Sequence, residues 1–352
     1  MAAPAVSTLF PKITQHVSEV VRVLKELEHG SNHADDGTTL ESIPLGGTVK
    51  LHGTHADILI YEDDRIVLQS KNVSSITVMN DNLGFAAAMA GKTPAILELR
   101  DRYLARWTLL HPDIRLDNTY PVLIAGEWIG TGVQRDVAIT QLSRRFVIIS
   151  VSINGSWVPD TAYADIESPL SYIYNISRGG TFAATLYPSD VARTISEVSP
   201  LAEAVASSCP FAAALGVHGE GEGVVWKPAH PALNANAALW FKTKGGRFKP
   251  SFPPAAKIVP QDVQEQRDAS DQLAALWCSQ ERLQQGWDVL RELGVKRDMK
   301  ALSKFLKWLQ SDILTEEKVY VQANGVDESM LRVGIARVAR VWYIRRVSLG
   351  EE

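Results

Sequence analysis

The chain has 352 residues, 45% hydrophobic and 22% charged, with nine tryptophans. That length buries a full core and fits two domains. The net charge of −4 excludes a protein that is basic throughout but allows a local basic groove, and two cysteines, Cys209 and Cys278, exclude a disulfide framework and favour a reducing compartment.

Met1-Ala-Ala-Pro lacks the basic start and apolar core of a secretory signal. No apolar run approaches the eighteen or so residues of a membrane span, so no membrane partner is expected. The expected location is intracellular, with cytoplasm, nucleus and organelle all open. Residues 17–27 have helical spacing in Val17, Val20, Val21, Leu24 and Leu27, ending at Gly30. A polar stretch over 31–42 then leads into an extended segment at 48–50. Runs rich in β-branched residues predict strands at 56–61, 65–69, 122–126 and 146–153. Between them 83–90 and 96–110 read as helices, the latter with Leu99, Tyr103 and Trp107 on one side. A helix over 191–206 precedes strands at 223–226 and 238–242.

Composition changes near Pro250, where Pro250, Pro253, Pro254 and Pro260 mark an irregular crossing over 248–260. Beyond it the apolar series from Leu273 to Leu293, and further stretches at 305–309 and 333–342, predict helices. The mixture suggests an α+β fold with antiparallel sheet, divided into residues 1–250 and a mostly helical domain over 251–352. No Gly-rich turn follows the first strand and no Walker lysine is present, which disfavours a Rossmann or P-loop site.

Lys50-Leu51-His52-Gly53-Thr54 is the segment richest in chemistry. A lysine is nucleophilic only when neutral, which requires desolvation or a neighbouring cation. Gly53 permits close approach of backbone to a ligand, and His52 and Thr54 supply hydrogen bonds. Lys242 and Lys244, two apart on a strand, face one way and together attract an anion such as a triphosphate. Lys227 adds a further cation. Glu127 and Glu222, each beside an apolar strand, suit a divalent metal or a ribose hydroxyl. Asp57 is a lesser candidate, and Asp63-Asp64 reads as a turn.

In this order the segments resemble the motifs of the covalent nucleotidyltransferases, which include ATP-dependent DNA and RNA ligases and capping enzymes. Lys50-Leu-His-Gly-Thr looks most like the RNA ligase branch of the second RNA ligase of phage T4 and the trypanosome editing ligases. The resemblance covers about residues 48–245. It implies a nucleotidyltransferase (ATP-grasp-like ligase) domain with antiparallel sheets, in which Lys50 forms a lysyl-adenylate and His52 and Gly53 complete its motif. Lys71, in Gln69-Ser-Lys-Asn72, is matched to a contact with the adenylate or RNA phosphate. Glu127 is matched to ribose binding, Phe146 to an aromatic face for adenine, Glu222 to the metal, and Lys242 and Lys244 to phosphate. Lys227 closes the motif that begins at Glu222 and is expected to contact the cofactor. One departure stands out: His55 occupies the position of an asparagine in the phage-type branch.

The resemblance implies ATP and Mg²⁺ or Mn²⁺ as cofactors, and RNA with 5′-phosphate and 3′-hydroxyl ends as substrate. GTP-using capping, DNA joining, and nucleic-acid binding without catalysis are the alternatives. Arg144-Arg145, Lys296-Arg297, Lys304, Lys307, Arg340 and Arg345-Arg346 are candidates to track a nucleic-acid backbone.

Overall fold

Short strands with alternating burial assemble into two sheets, and the computed structural model describes residues 8–30, 41–250 and 263–350. The first compact unit spans residues 1–248. In chain order it contains α1 (Val17–Gly30), β1 (Ile43–Lys50), β2 (Thr54–Ile60), β3 (Ile66–Ser70), α2 (Phe85–Ala90), α3 (Thr93–Leu110) and β4 (Val122–Ile129). There follow β5 (Arg145–Ile153), β6 (Ser156–Trp157), β7 (Ile173–Asn175), β8 (Thr181–Leu186), α4 (Val191–Ser207), α5 (Pro210–Ala213), β9 (Gly223–Pro228), α6 (Pro231–Asn234) and β10 (Phe241–Lys244). The second unit, residues 249–352, holds α7 (Val263–Trp277), α8 (Gln280–Glu292), α9 (Leu302–Glu316), α10 (Lys318–Ala323) and α11 (Glu328–Ser348). The fold is α+β with antiparallel sheets and a helical C-terminal region.

The four-stranded sheet has the order β10-β9-β1-β8, and the larger sheet runs β3-β2-β4-β5-β6. Pairing is antiparallel except where β7 joins β5 in parallel. In β1 the buried positions Leu45 and Val49 alternate with half-buried Thr48 and Lys50, as the period of two requires. Leu45 and Val49 share a core with Val224, Trp226 and Phe241, with Val17, Val20 and Leu24 of α1, and with Val198 and Val205 of α4. In the larger sheet Ile58, Ile124, Phe146 and Ile148 pack with Phe85, Met89, Leu99, Tyr103 and Trp107 from α2 and α3. Helices thus cover one face of each sheet. The opposite faces carry the polar residues, and Lys227 of β9 reaches Ser150 of β5 between them.

Several boundaries differ from the sequence expectation. β1 begins at Ile43, well before residue 48. The strand expected over 238–242 begins only at Phe241, because the Asn236 side chain accepts a hydrogen bond from the Ala238 amide and winds Ala237–Leu239 into a 3₁₀ turn. The helix expected from residue 83 starts at Phe85, since Leu83 and Gly84 are left-handed at φ 56° and 79°. β8 had no sequence expectation, its centre being Ala183 and Ala184, weak strand formers. Residues 31–40 of the polar stretch and 251–260 of the proline-rich crossing lie outside the described residues.

The second unit has its own core, built from Trp277, Trp287, Phe305, Leu309, Ile335 and Tyr343. Ser279 breaks the apolar series into α7 and α8, capping α8 by accepting from the Arg282 amide. Among the described residues, no helix is long and apolar enough to cross a membrane.

Candidate active site

Register in the smaller sheet brings together residues that are distant in sequence. Lys50 of β1 and Lys244 of β10 both pair with Gly223 of β9, so the two lysines flank one position on the same face. A side chain at Gly223 would meet the Thr243 carbonyl at 2.0 Å, so glycine lets β10 approach here. Glu222, immediately before β9, has a side chain only 3% exposed. Its Oε2 lies 2.7 Å from Lys50 Nζ and its Oε1 3.2 Å from Lys244 Nζ. His52 Nδ1 approaches Oε2 at 3.6 Å, and its ring leans on Phe248 at 4.8 Å. Burial alone would raise the Glu222 carboxyl, but Lys50, then Lys244 and His52, hold it well below the usual carboxylate range.

Glu127 of β4 forms the other wall, paired in register with His55 of β2. Burial pushes its carboxyl up, opposed by His55 and Lys50, while Glu222 adds to the rise. Gly53 sits against it: a Cβ there would lie 2.6 Å from the Trp128 carbonyl oxygen and 2.9 Å from Glu127 Oε2. Any larger residue would displace the carboxylate. Two acids shifted in opposite directions therefore face a set of cations.

Lys50, His52, Gly53, Glu127, Glu222 and Lys244 are brought together. Lys242 projects from the same face as Lys244, one row further along β10, opposite Val225. Lys71 follows β3, is exposed, and lies close enough to His55 to disfavour its charge.

Lys227 and Phe146 do not join them. Lys227 is buried, with Nζ 2.6 Å from Asp160 and 2.7 Å from Ser150 Oγ, and it lies 4.1 Å from the Trp240 ring centre. Burial pushes this ammonium down and the Asp160 carboxyl up, each opposing the other's shift. The cofactor contact expected of Lys227 is thus replaced by an internal tie. Phe146 is 0% exposed and stacks on Phe85 at 5.6 Å in the helix-covered core, so it presents no aromatic face. Its ring occupies the space that a side chain at Gly126 would need. Alternation puts Val147 and Ile149 on the other face of β5, where they pack with the first core.

Of the candidate backbone-tracking residues, Arg145 is buried, bonded to Ser143 and set against Tyr174. Arg144, Lys304, Lys307, Arg340 and Arg345 are exposed. Arg297 and Arg346 both lie over Trp287 in the second unit.

An aromatic group was not foreseen. Phe10 contacts His55 at 4.7 Å and Trp157 at 5.4 Å, and Trp157 meets Trp240 edge-on at 5.4 Å. The only sequence signal for this group was the richness in tryptophan. Asp160 likewise sits in a turn with no motif around it.

The donor set also bears on metal binding. No group of three or more His, Cys, Asp or Glu suited to a metal occurs among the described residues. Glu222, ionised and oxygen-bearing, fits a hard divalent ion that keeps its waters and takes substrate phosphate oxygens. An all-protein cage does not fit.

No family model matches the sequence, and no curated protein matches it. Solved structures similar to it include an RNA ligase from Naegleria gruberi with PPi, at 14% identity and a TM-score of 0.40, covering 69% of this chain and 61% of that one. A lysine-to-methionine mutant of the Naegleria ligase, with AMP and Mn, matches at 12% identity and 0.39, covering 68% and 57%. An archaeal ATP-dependent RNA ligase matches at 17% identity and 0.37, covering 97% and 67%. The chain spans about 60% of the length of the Naegleria chains. At such scores the functional reading rests on the residues of the cleft.

Proposed function

We propose that the protein is an ATP-dependent RNA ligase that works through a lysyl-adenylate on Lys50. The observation that carries this reading is the Lys50–Glu222 pair at 2.7 Å, with Lys244 on the other oxygen of the same carboxylate. In this arrangement the Glu222 carboxylate favours the ammonium of Lys50, and a divalent metal held by Glu222 would take over that charge and favour the neutral amine that attacks phosphorus.

In the first step neutral Lys50 Nζ bonds to the α-phosphorus of ATP, the bond to the bridging oxygen breaks, and pyrophosphate leaves. The amine gives up a proton to solvent, and takes one back when the P–N bond later breaks. Lys244 and Lys242 compensate the charge growing on the leaving group. Glu222 would hold Mg²⁺ or Mn²⁺, which supplies charge neutralisation at the phosphates when bound. Glu127, lifted toward its protonated form, is suited to hydrogen-bond a ribose hydroxyl. In the second step an oxygen of the RNA 5′-phosphate attacks the adenylate phosphorus and the P–N bond breaks, returning Lys50. In the third a 3′-hydroxyl attacks the 5′-phosphorus, loses its proton, and AMP departs.

The test is incubation with α-labelled ATP or GTP and a divalent metal, followed by denaturing electrophoresis. Label from ATP should remain on the wild-type chain and be absent from Lys50→Ala. Label from GTP instead would favour capping, and no label from either would sink the reading. Nicked duplexes with RNA or DNA at the 3′-hydroxyl then separate RNA from DNA joining.

A further inference from the structure

The chain just before α1 crosses from one sheet to the other, and the adenylation step gives it no part. At one end Thr8 Oγ1 accepts a hydrogen bond from Gln69 Nε2 of β3, at 3.1 Å. At the other the Thr14 carbonyl accepts from the Lys242 amide at 2.8 Å, and Thr14 bridges in parallel to Phe241 of β10. β3 and β10 are end strands of the two sheets. Residues 8–14 are thus a strap between them.

Phe10 is the middle of this strap. Its ring packs on His55 of β2 at 4.7 Å, on Trp157 of β6 at 5.4 Å and on Trp240, just before β10, at 6.1 Å. It also packs on Leu59, Leu123 and Ala125, three buried residues that alternation turns away from the helices. One half-buried ring therefore reaches elements of both sheets. Pro11 follows it, fixing its own φ and restricting Phe10 to extended backbone, so the strap has less chain entropy to lose on docking. By pairing with Thr14, the otherwise open edge of β10 is partly closed along the strand that carries Lys242 and Lys244.

We propose that Phe10 is a positioning residue: through the strap it holds the strand bearing Lys242 and Lys244 in fixed relation to the sheet bearing Glu127, so that the two walls meet ATP together. This assignment rests on the ligase reading. Lys227 already fastens β9 to β5 through Ser150, and the strap does the same for the end strands. Lys244 and Glu127 come from different sheets, and groups that bind one ligand from two walls lose affinity when the walls drift. A bound nucleotide can draw loosened walls back together, at a cost taken from its own binding. Loosening the strap therefore acts on the KM for ATP more than on kcat.

The test measures adenylation of the full chain against ATP concentration. Phe10→Ala should raise the KM at least about fivefold with kcat within about twofold of wild type, and Phe10→Leu should recover most of that loss. An unchanged KM in Phe10→Ala overturns the proposal, as does an equal rise in Phe305→Leu, which loosens the core of the second unit instead. Hydrogen exchange at the Lys242 amide is a readout independent of catalysis, and it should quicken at least about tenfold in Phe10→Ala. If that variant fails to fold, Pro11→Gly decides, since it frees the strap and keeps the ring. Faster exchange at Lys242 supports the strap, and exchange at the wild-type rate overturns it. A wild-type chain that takes no AMP sinks the ligase reading, and the exchange rates then still test the strap.

Discussion

Lys50 Nζ and Glu222 Oε2 are 2.7 Å apart although 172 residues separate them in the chain. The contact exists because β1 and β9 are sheet neighbours in a register that pairs Lys50 with Gly223. The proposed nucleophile and the carboxylate beside it are thus set by backbone pairing, which favours precise placement.

Replacing Lys50 by alanine should remove the AMP adduct entirely, since no nitrogen remains to carry it. Lys50→Arg should fail equally, because arginine stays protonated. Intact-mass spectrometry after ATP incubation checks both, and an adduct at another lysine would contradict the assignment.

Glu222 should matter to stability as a function of acidity. Its folded carboxyl lies below the unfolded value of about 4.3, so its contribution is fully present above that pH and is lost as pH falls. The gap in Tm between wild type and Glu222→Gln should therefore narrow on acidification below about pH 4.3. A gap that widens there would show that the carboxylate is not the stabilising form.

Phe146→Ala should act through the core. Loss of a fully buried phenylalanine costs about 3–5 kcal/mol, read as a lower urea midpoint. Val225→Ala should instead raise the KM for ATP with little change in midpoint, because Val225 is half-buried on the lysine-bearing face. The reverse pattern would restore Phe146 as a base contact.

The resemblance made the chemical residues legible, but alternation limited it at β5. The motif order names Lys50, Glu127, Glu222 and Lys244, which the sheet registers bring near one another, and Glu127, Glu222 and Lys244 each stand next to a glycine in sequence. Phe146 was misplaced because an aromatic in a run of Val147, Ile148 and Ile149 gives no signal of which face it takes. Its ring lies over Gly126 on the adjacent strand, a contact that sequence separation conceals. Lys227 misled for a related reason, because its partner Asp160 lies in a turn that no periodicity marks. His55 stands out in the sequence as a departure, and its contact with Asp57 at 2.8 Å appears only in the folded strand. The helical second unit was legible from apolar spacing alone, as expected where contacts are local.

The Lys227–Asp160 pair gives a further prediction. Removing one partner of a buried ion pair costs about 3–5 kcal/mol, so Asp160→Asn should lower the denaturation midpoint substantially. The double variant Lys227→Met with Asp160→Leu should recover much of that loss. Urea denaturation of the three proteins checks this, and a double variant no more stable than Asp160→Asn would deny the coupling.

That same pair ties the two sheets together. Lys227 stands four residues along β9 from Gly223, about 13 Å at strand spacing, and is fastened to β5 through Ser150. The sheets are riveted at that end. The Lys50 and Lys244 ammonium groups therefore lie at the end of β9 remote from this tie, while Trp240 stands beside it.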